Sequence, residues 1–156
     1  MTDQETGQPP YLLLANAAIE AMIPVAHRMG VTITELEAGR VVGQVPLEGN
    51  SNHMGTMYAG VLFTVAEILG GAIVLPTFDA ARFYPTLKEV QIRFRRPATT
   101  MVTATASLDA DTVASVAADA DANGKADFTL DAELTDTAGT LVAATHGLYQ
   151  LRTHGS

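Results

Sequence analysis

Asn52-His53-Met54-Gly55-Thr56-Met57-Tyr58-Ala59-Gly60 runs directly into Val61-Leu62-Phe63-Thr64-Val65-Ala66-Glu67-Ile68-Leu69-Gly70-Gly71. Between Glu48 and Asp79 the only formally charged side chain is Glu67. The apolar run around it ends at Leu75-Pro76 and lacks the polar face of a surface helix, so it predicts a helix buried on most sides. Its shortness and its glycines argue against a membrane span. An ionised carboxylate in such a run is costly unless it is partnered or protonated. Glu67 is therefore the first candidate functional residue. The competing reading is a structural carboxylate, hydrogen-bonded to backbone or water at a subunit interface.

The loop before the helix favours the functional reading. Asn52 offers a side-chain amide, and Gly55 and Gly60 permit close backbone approach. The helix is predicted to begin near Thr56 to Gly60, where unpaired N–H groups and a partial positive charge suit a developing oxyanion. Ala59 and Glu67 lie eight residues apart, about 12 Å along one helix axis. Glu67 thus cannot serve the donors at its own helix start. An antiparallel helix from a second chain could bring another Glu67 there, and a site so built is shared between two subunits.

The pattern Asn-x-x-Gly-Thr-x-[His/Tyr]-[Gly/Ala]-Gly, followed by Leu-Phe-Thr-x-Ala-Glu, resembles the active-site segment of hotdog-fold acyl-CoA thioesterases, and most of all the phenylacetate-pathway type. The resemblance covers most of residues 24–153. It implies an α+β hotdog fold, an antiparallel β-sheet wrapped around one long central helix, paired as a dimer with two composite sites. It further implies that Glu67 acts as base or nucleophile, that Asn52 places the water, and that the Ala59 N–H polarises the thioester carbonyl. Tyr58, Gly60, Gly55 and His53 are then expected beside the substrate. Many members have His-Gly-Gly where this chain has Tyr58-Ala59-Gly60, and Asp where it has Glu67. The N–H survives the first change and the carboxylate the second.

Composition is consistent with one domain of residues 11–156 behind a disordered lead of residues 1–10. The chain has 156 residues, 47% hydrophobic and 17% charged, which suits a globular domain with a substantial core. It has no cysteine, hence no disulfide framework and no thiolate chemistry. The acidic, polar start Met1-Thr2-Asp3-Gln4-Glu5 is unlike a signal peptide, which makes a cytoplasmic location the expectation. A net charge of −8 argues against nucleic acid and anionic membrane as general partners. Charge is unevenly placed, however. Five of nine basic residues are Arg82, Lys88, Arg93, Arg95 and Arg96, and a basic strip on an acidic protein suits a phosphorylated small ligand such as coenzyme A. The alternative is a solvated strand face whose arginines pair with neighbouring carboxylates. His27 and His53 lack partners at metal-ligand spacing, so no catalytic metal and no cofactor are expected.

Reading the chain in order, Tyr11 to Ile23 predicts an amphipathic helix broken or kinked by Pro24. Val31–Glu37 and Arg40–Leu47, split by Ala38-Gly39, predict a hairpin. After the central helix the chain loops from Asp79 to Pro85, and Leu87–Arg96 and Met101–Leu108 predict strands. Asp109–Ala122 predicts a short helix with Asp111 as N-cap and Gly124 at its stop. Residues 126–135 alternate cleanly as a half-buried strand, and Asp136-Thr137-Ala138-Gly139 turns into a last strand, Thr140–Leu151, before a tail.

The sequence is compatible with three functions. The first is acyl-CoA thioester hydrolysis by a homodimer or dimer of dimers. The second is a non-catalytic acyl-ligand-binding module of the same fold. The third is a hotdog hydratase or dehydratase, disfavoured because His53, His146 and His154 form no acid–histidine motif.

Overall fold

The clean alternation of residues 126–135 becomes β5 (Lys125–Thr135), buried at every second position from Ala126 to Leu134. It lies inside a six-stranded sheet of order β1-β2-β4-β5-β6-β3, with every neighbouring pair antiparallel. The other strands are β1 (Thr32–Glu37), β2 (Arg40–Val45), β3 (Phe83–Phe94), β4 (Val102–Ser107) and β6 (Leu141–Thr153). The computed structural model describes residues 10–155. Nine of the ten residues of the expected disordered lead fall outside that range.

The α+β class with an antiparallel sheet is as expected, and five helices accompany the sheet. These are α1 (Pro10–Met22), α2 (Pro24–Met29), α3 (Ala59–Ala72), α4 (Val74–Thr77) and α5 (Ala110–Asn123). The apolar run around Glu67 is divided: α3 ends at Ala72, and α4 continues after Ile73. Taken together, Ala59–Thr77 is long and apolar enough, by length and composition alone, to cross a membrane. The expectation that this run is too short is corrected. In the fold its apolar side chains find protein instead: α3 packs on β2, β3, β4, β5 and β6. Its core side chains include Val61, Leu62, Val65, Ile68 and Leu69, each contributing about 1.5–3 kcal/mol on full burial.

Small residues on the sheet make room for this helix. A Cβ at Gly43 would lie 3.2 Å from the Leu69 side chain, and Ala104, Ala106, Ala132 and Ala143 are all buried. Bulkier residues at these positions would lift α3 off the sheet.

Several local expectations are corrected. Pro10 joins α1 and so leaves the expected lead, while the helix breaks before Pro24 as expected, and Pro24 opens a separate helix, α2, because proline fits the first helical turn. Strand β3 begins at Phe83 and includes Pro85, which an edge strand tolerates because the missing N–H is not needed by a second neighbour. Strand β6 runs on through Arg152 to Thr153, paired with both β3 and β5, where a tail was expected. The N-cap of α5 is Asp109, whose carboxylate accepts from the Thr112 N–H at 2.7 Å, while Asp111 sits in the first turn. Gly124 closes that helix at φ 74°, a left-handed conformation natural to glycine.

Candidate active site

The loop of residues 50–58 is held from below by Asn50, one of the few buried polar side chains. Its amide donates to the Met29 carbonyl at 2.6 Å and to the Pro46 carbonyl at 2.8 Å, tying the end of α2 and the end of β2 to the loop. Its own carbonyl accepts from the Tyr58 N–H, fixing the residue that starts α3. From the other side, the Met57 N–H donates to the Ala98 carbonyl at 2.9 Å. Asn50→Ala would strip two buried carbonyls of their donor. We expect it to destabilise the fold by about 2 kcal/mol, lowering the melting temperature by roughly 4–8 °C.

Asn52 organises the loop above. Its Oδ1 accepts from the Met54 N–H at 2.9 Å and the Thr56 N–H at 3.1 Å, and its Nδ2 lies 2.9 Å from the Thr56 hydroxyl. The acceptor oxygen is thus taken by the loop, and Nδ2 has no further hydrogen-bond partner among the described residues. Tyr58, the N-cap of α3, caps with no side-chain bond. The Val61 and Leu62 N–H groups return to the Tyr58 carbonyl, and those of Ala59 and Gly60 find no partner among the described residues. Two donors at a helix start are therefore open. The Tyr58 ring folds over Gly60 so closely that a Cβ there would lie 2.8 Å from it.

These groups border a cleft of about 320 Å³ lined by Asn52, Met54, Thr56, Met57, Ala59, Leu62, Phe94, Arg95, Arg96, Pro97 and Ala98. The backbone aims both arginines. The N–H groups of Arg95 and Arg96 both donate to the Val142 carbonyl, at 2.8 and 3.2 Å. Two consecutive residues opposing one is the pattern of a β-bulge, which redirects side chains at a strand end. Arg95 also lines a second cleft of about 280 Å³, shared with Gln91, Ile92, Arg93, Ala144, Thr145 and His146. None of Arg93, Arg95 and Arg96 forms an ion pair among the described residues, whereas Arg40, Arg82 and Lys88 do. The alternative of a self-neutralised strand face holds for Arg82 and Lys88 but not for these three.

Of the expected site residues, then, the first cleft gathers Asn52, Ala59, Arg95 and Arg96, and the second holds Arg93. Tyr58 and Gly60 border the helix start, while His53 and Gly55 are exposed on the loop and line neither cleft. Glu67 lines neither. It lies two turns further along α3, on the stripe of Gly60, Phe63, Thr64 and Gly71 that the chain leaves half-covered or open. Its carboxylate has no hydrogen bond or ion pair among the described residues, and burial raises its pKa above the ordinary value.

Two positioning residues escape sequence reasoning, Asn50 and Tyr149. The Tyr149 hydroxyl donates to the Glu67 backbone carbonyl at 3.0 Å. Its ring lies in a slot between Gly70 and Gly147, where added Cβ atoms would stand 2.0 and 2.6 Å from ring carbons, and it stacks on Phe128 at 5.4 Å. Burial, and then the Glu67 charge, push the phenol pKa up, so it stays protonated and remains a donor. Gly147 two residues before Tyr149, with a glycine pair in the facing helix, is the sequence signal for this slot.

Residues 13–149 match the family described as Domain of unknown function (DUF4442). A crystal structure from Pseudomonas aeruginosa, PA5026, described as a protein of unknown function and probable thioesterase, is 46% identical to this chain, with a TM-score of 0.84 over 91% of this chain and 95% of that one. A mutant form of thioesterase PA1618 from the same organism is 18% identical, with a TM-score of 0.73 over 94% of this chain and 97% of that one. Thioesterase HI1161 from Haemophilus influenzae is 13% identical, with a TM-score of 0.73 over 93% and 92%. At such identities the last two show a shared fold.

Proposed function

The chain belongs to the DUF4442 domain family, and from that membership and the geometry of the clefts we propose that it hydrolyses acyl-CoA thioesters to the free acid and coenzyme A. The observation that carries this reading is the first cleft, where the open N-terminus of α3 meets two guanidinium groups that form no ion pair among the described residues. Solved structures with this fold are named thioesterases, and the 46% identical relative is described as a probable one. In this reading the fold is the hotdog fold, α3 with α4 its central helix, and the branch is the phenylacetate-pathway type.

The chemistry follows from the donors. The thioester carbonyl oxygen sits at the Ala59 and Gly60 N–H groups, whose hydrogen bonds strengthen as it gains negative charge. Glu67 removes a proton from the attacking water, or itself attacks the carbonyl carbon. In the first route, water oxygen bonds to carbon, the sulfur leaves as coenzyme A thiolate and takes up a proton, and the acid is released. Glu67 lies about 12 Å along the axis from Ala59 in its own helix, so the acid must come from a second copy. Antiparallel pairing of two α3 helices about Phe63 places each Glu67 opposite the other chain's Ala59. The open stripe favours this: nothing lies within 4 Å of a Cβ at Gly71, so a second helix can come close. Strand β3, a long edge with one unpaired side, extends the sheet into the same partner. A cytoplasmic homodimer or dimer of dimers is the assembly proposed.

Arg95 touches both clefts and so bridges the reacting end to Arg93, a track suited to the phosphorylated end of coenzyme A. Arg93→Gln and Arg95→Gln are expected to raise KM for acyl-CoA by about 10-fold each while kcat is nearly kept. The effect should vanish with a short thioester lacking the nucleotide, and equal losses on both substrates would place these arginines in folding instead. The direct test is cleavage of a panel of acyl-CoA thioesters by the purified protein. Absence of turnover on every member, with binding retained, would leave a binding module in place of an enzyme.

A further inference from the structure

We propose that the outer face of α1 is an interface between two copies of this chain, the helices pairing antiparallel about Ala17 and Ala18. The inference concerns the sheet edge remote from the clefts and stands whether or not the chain hydrolyses thioesters.

The helix, Pro-Tyr-Leu-Leu-Leu-Ala-Asn-Ala-Ala-Ile-Glu-Ala-Met, carries one charged side chain, Glu20. A surface helix normally keeps a polar face, and this one is apolar nearly all round. Its inner face is committed: Leu12, Ala15 and Ile19 are buried. Asn16 locks it in rotation. The Asn16 Nδ2 donates to the Ile33 carbonyl at 2.9 Å and its Oδ1 accepts from the Ile33 N–H at 2.9 Å, so one side chain pairs with β1 as a strand would. The helix cannot roll to hide what remains.

What remains is large. Leu13 and Leu14 are each 56% exposed and Met22 79%, flanked by exposed Tyr11, Ile23 and Val25. Six such side chains leave a patch of roughly 600 Å², at the upper end of what a lone soluble chain presents. One partner in a standard interface contributes about 800 Å².

The shape of the patch selects its occupant. Leu14, Ala17, Ala18 and Ala21 share one stripe, a single knob beside a hollow of small residues. A two-fold axis between Ala17 and Ala18 sets Leu14 into the hollow at Ala21 of the partner subunit, and the reverse contact follows by symmetry. Charge argues against lipid. Helices that lie on membranes flank their apolar face with Lys and Arg, α1 has neither, and the chain's net charge of −8 opposes an anionic surface. The sequence of residues 1–9 is polar, with Asp3 and Glu5, and holds Met1 as its one large apolar side chain. The face is also separate from β3, because α1 packs on β1 at the opposite edge of the sheet.

The chain has no cysteine, so one introduced thiol reports without interference. Ala18→Cys is expected to form a disulfide-linked dimer on mild oxidation at micromolar concentration. Leu13→Cys should stay reduced, because its two copies would lie nine residues apart along the pair, roughly 13.5 Å, beyond the reach of a disulfide. Leu14→Glu, at an exposed position and checked by its unchanged melting curve, should halve the mass seen by light scattering. Added to Ala18→Cys, it should lower the cross-linked fraction at least tenfold. Equal masses for the parent chain and Leu14→Glu would overturn the proposal. So would an Ala18→Cys thiol that stays reduced while reacting freely with a thiol reagent. Flotation with phosphatidylcholine vesicles that is lost in Leu14→Glu would assign the face to lipid and overturn it equally.

Discussion

Glu67→Gln is expected to lower kcat for thioester cleavage by about 100- to 10,000-fold with substrate binding largely kept, the range for loss of a positioned general acid or base. That corresponds to about 3–5 kcal/mol of barrier. The amide keeps the size of the side chain and removes the charge and the proton acceptor. The stability change separates chemistry from structure. Burial raises the folded-state pKa of Glu67, so the carboxyl favours the fold at acid pH, below its unfolded pKa, and that advantage is lost as pH rises through the raised value. As pH rises the parent chain increasingly bears the cost of a half-buried charge that has no hydrogen-bonding partner among the described residues. Glu67→Gln should therefore melt at the same temperature or higher at pH 7, and its margin over the parent should shrink toward acid pH. The parent's kcat/KM should show an acid limb above the ordinary carboxylate range, since the base must be ionised. A lower melting temperature with full turnover in the folded fraction would make Glu67 structural.

The second large effect is on stability. Gly70→Ala puts a methyl group where the Tyr149 ring already stands, at 2.0 Å from a ring carbon. The ring cannot step aside, being backed by Phe128 and bounded by Gly147. On intrinsic propensity alone, alanine in place of a helical glycine would stabilise by about 1 kcal/mol. Overpacking reverses the sign, and we expect a net loss of about 3 kcal/mol, or roughly 6–12 °C in melting temperature. Tyr149→Leu, costly alone through the cavity and the lost bond to the Glu67 carbonyl, should be less costly beside Gly70→Ala. The coupling is the evidence for the slot. Additive losses would mean that Gly70 answers to something else.

Much of this was legible in the chain because burial imposes local patterns. Strand β5 alternates from Ala126 to Leu134 because one face meets the core, and the α3 run is apolar because the sheet covers it. What stayed hidden depends on the third dimension. Whether Arg93, Arg95 and Arg96 face carboxylates is a matter of cross-strand neighbours, and the neighbours of Arg93 on β6 and β5 are Ala144 and then Glu133, with which it makes no ion pair. Asp109 and Asp111 are both good N-cap residues, and the choice rests on which carboxylate reaches the Thr112 N–H. The start of β3 was masked by Pro85, a strand breaker everywhere except at an edge. The Tyr149 bond to Glu67 joins the last strand to α3, and no local window contains both.

The Asn16 side chain that mimics a strand on Ile33 has one more consequence. A sheet with two free edges can polymerise, each added copy offering a fresh template for the next. Here the β1 edge is stoppered by an amide and a helix, while β3 stays open. In the dimer proposed above, sheet extension through β3 would consume the one edge left open among the described residues and end at two. The same lock that pins α1 thus makes fibre growth by strand addition self-terminating. Asn16→Ala, which unstoppers β1 at Ile33, is the change that would put that safeguard at risk.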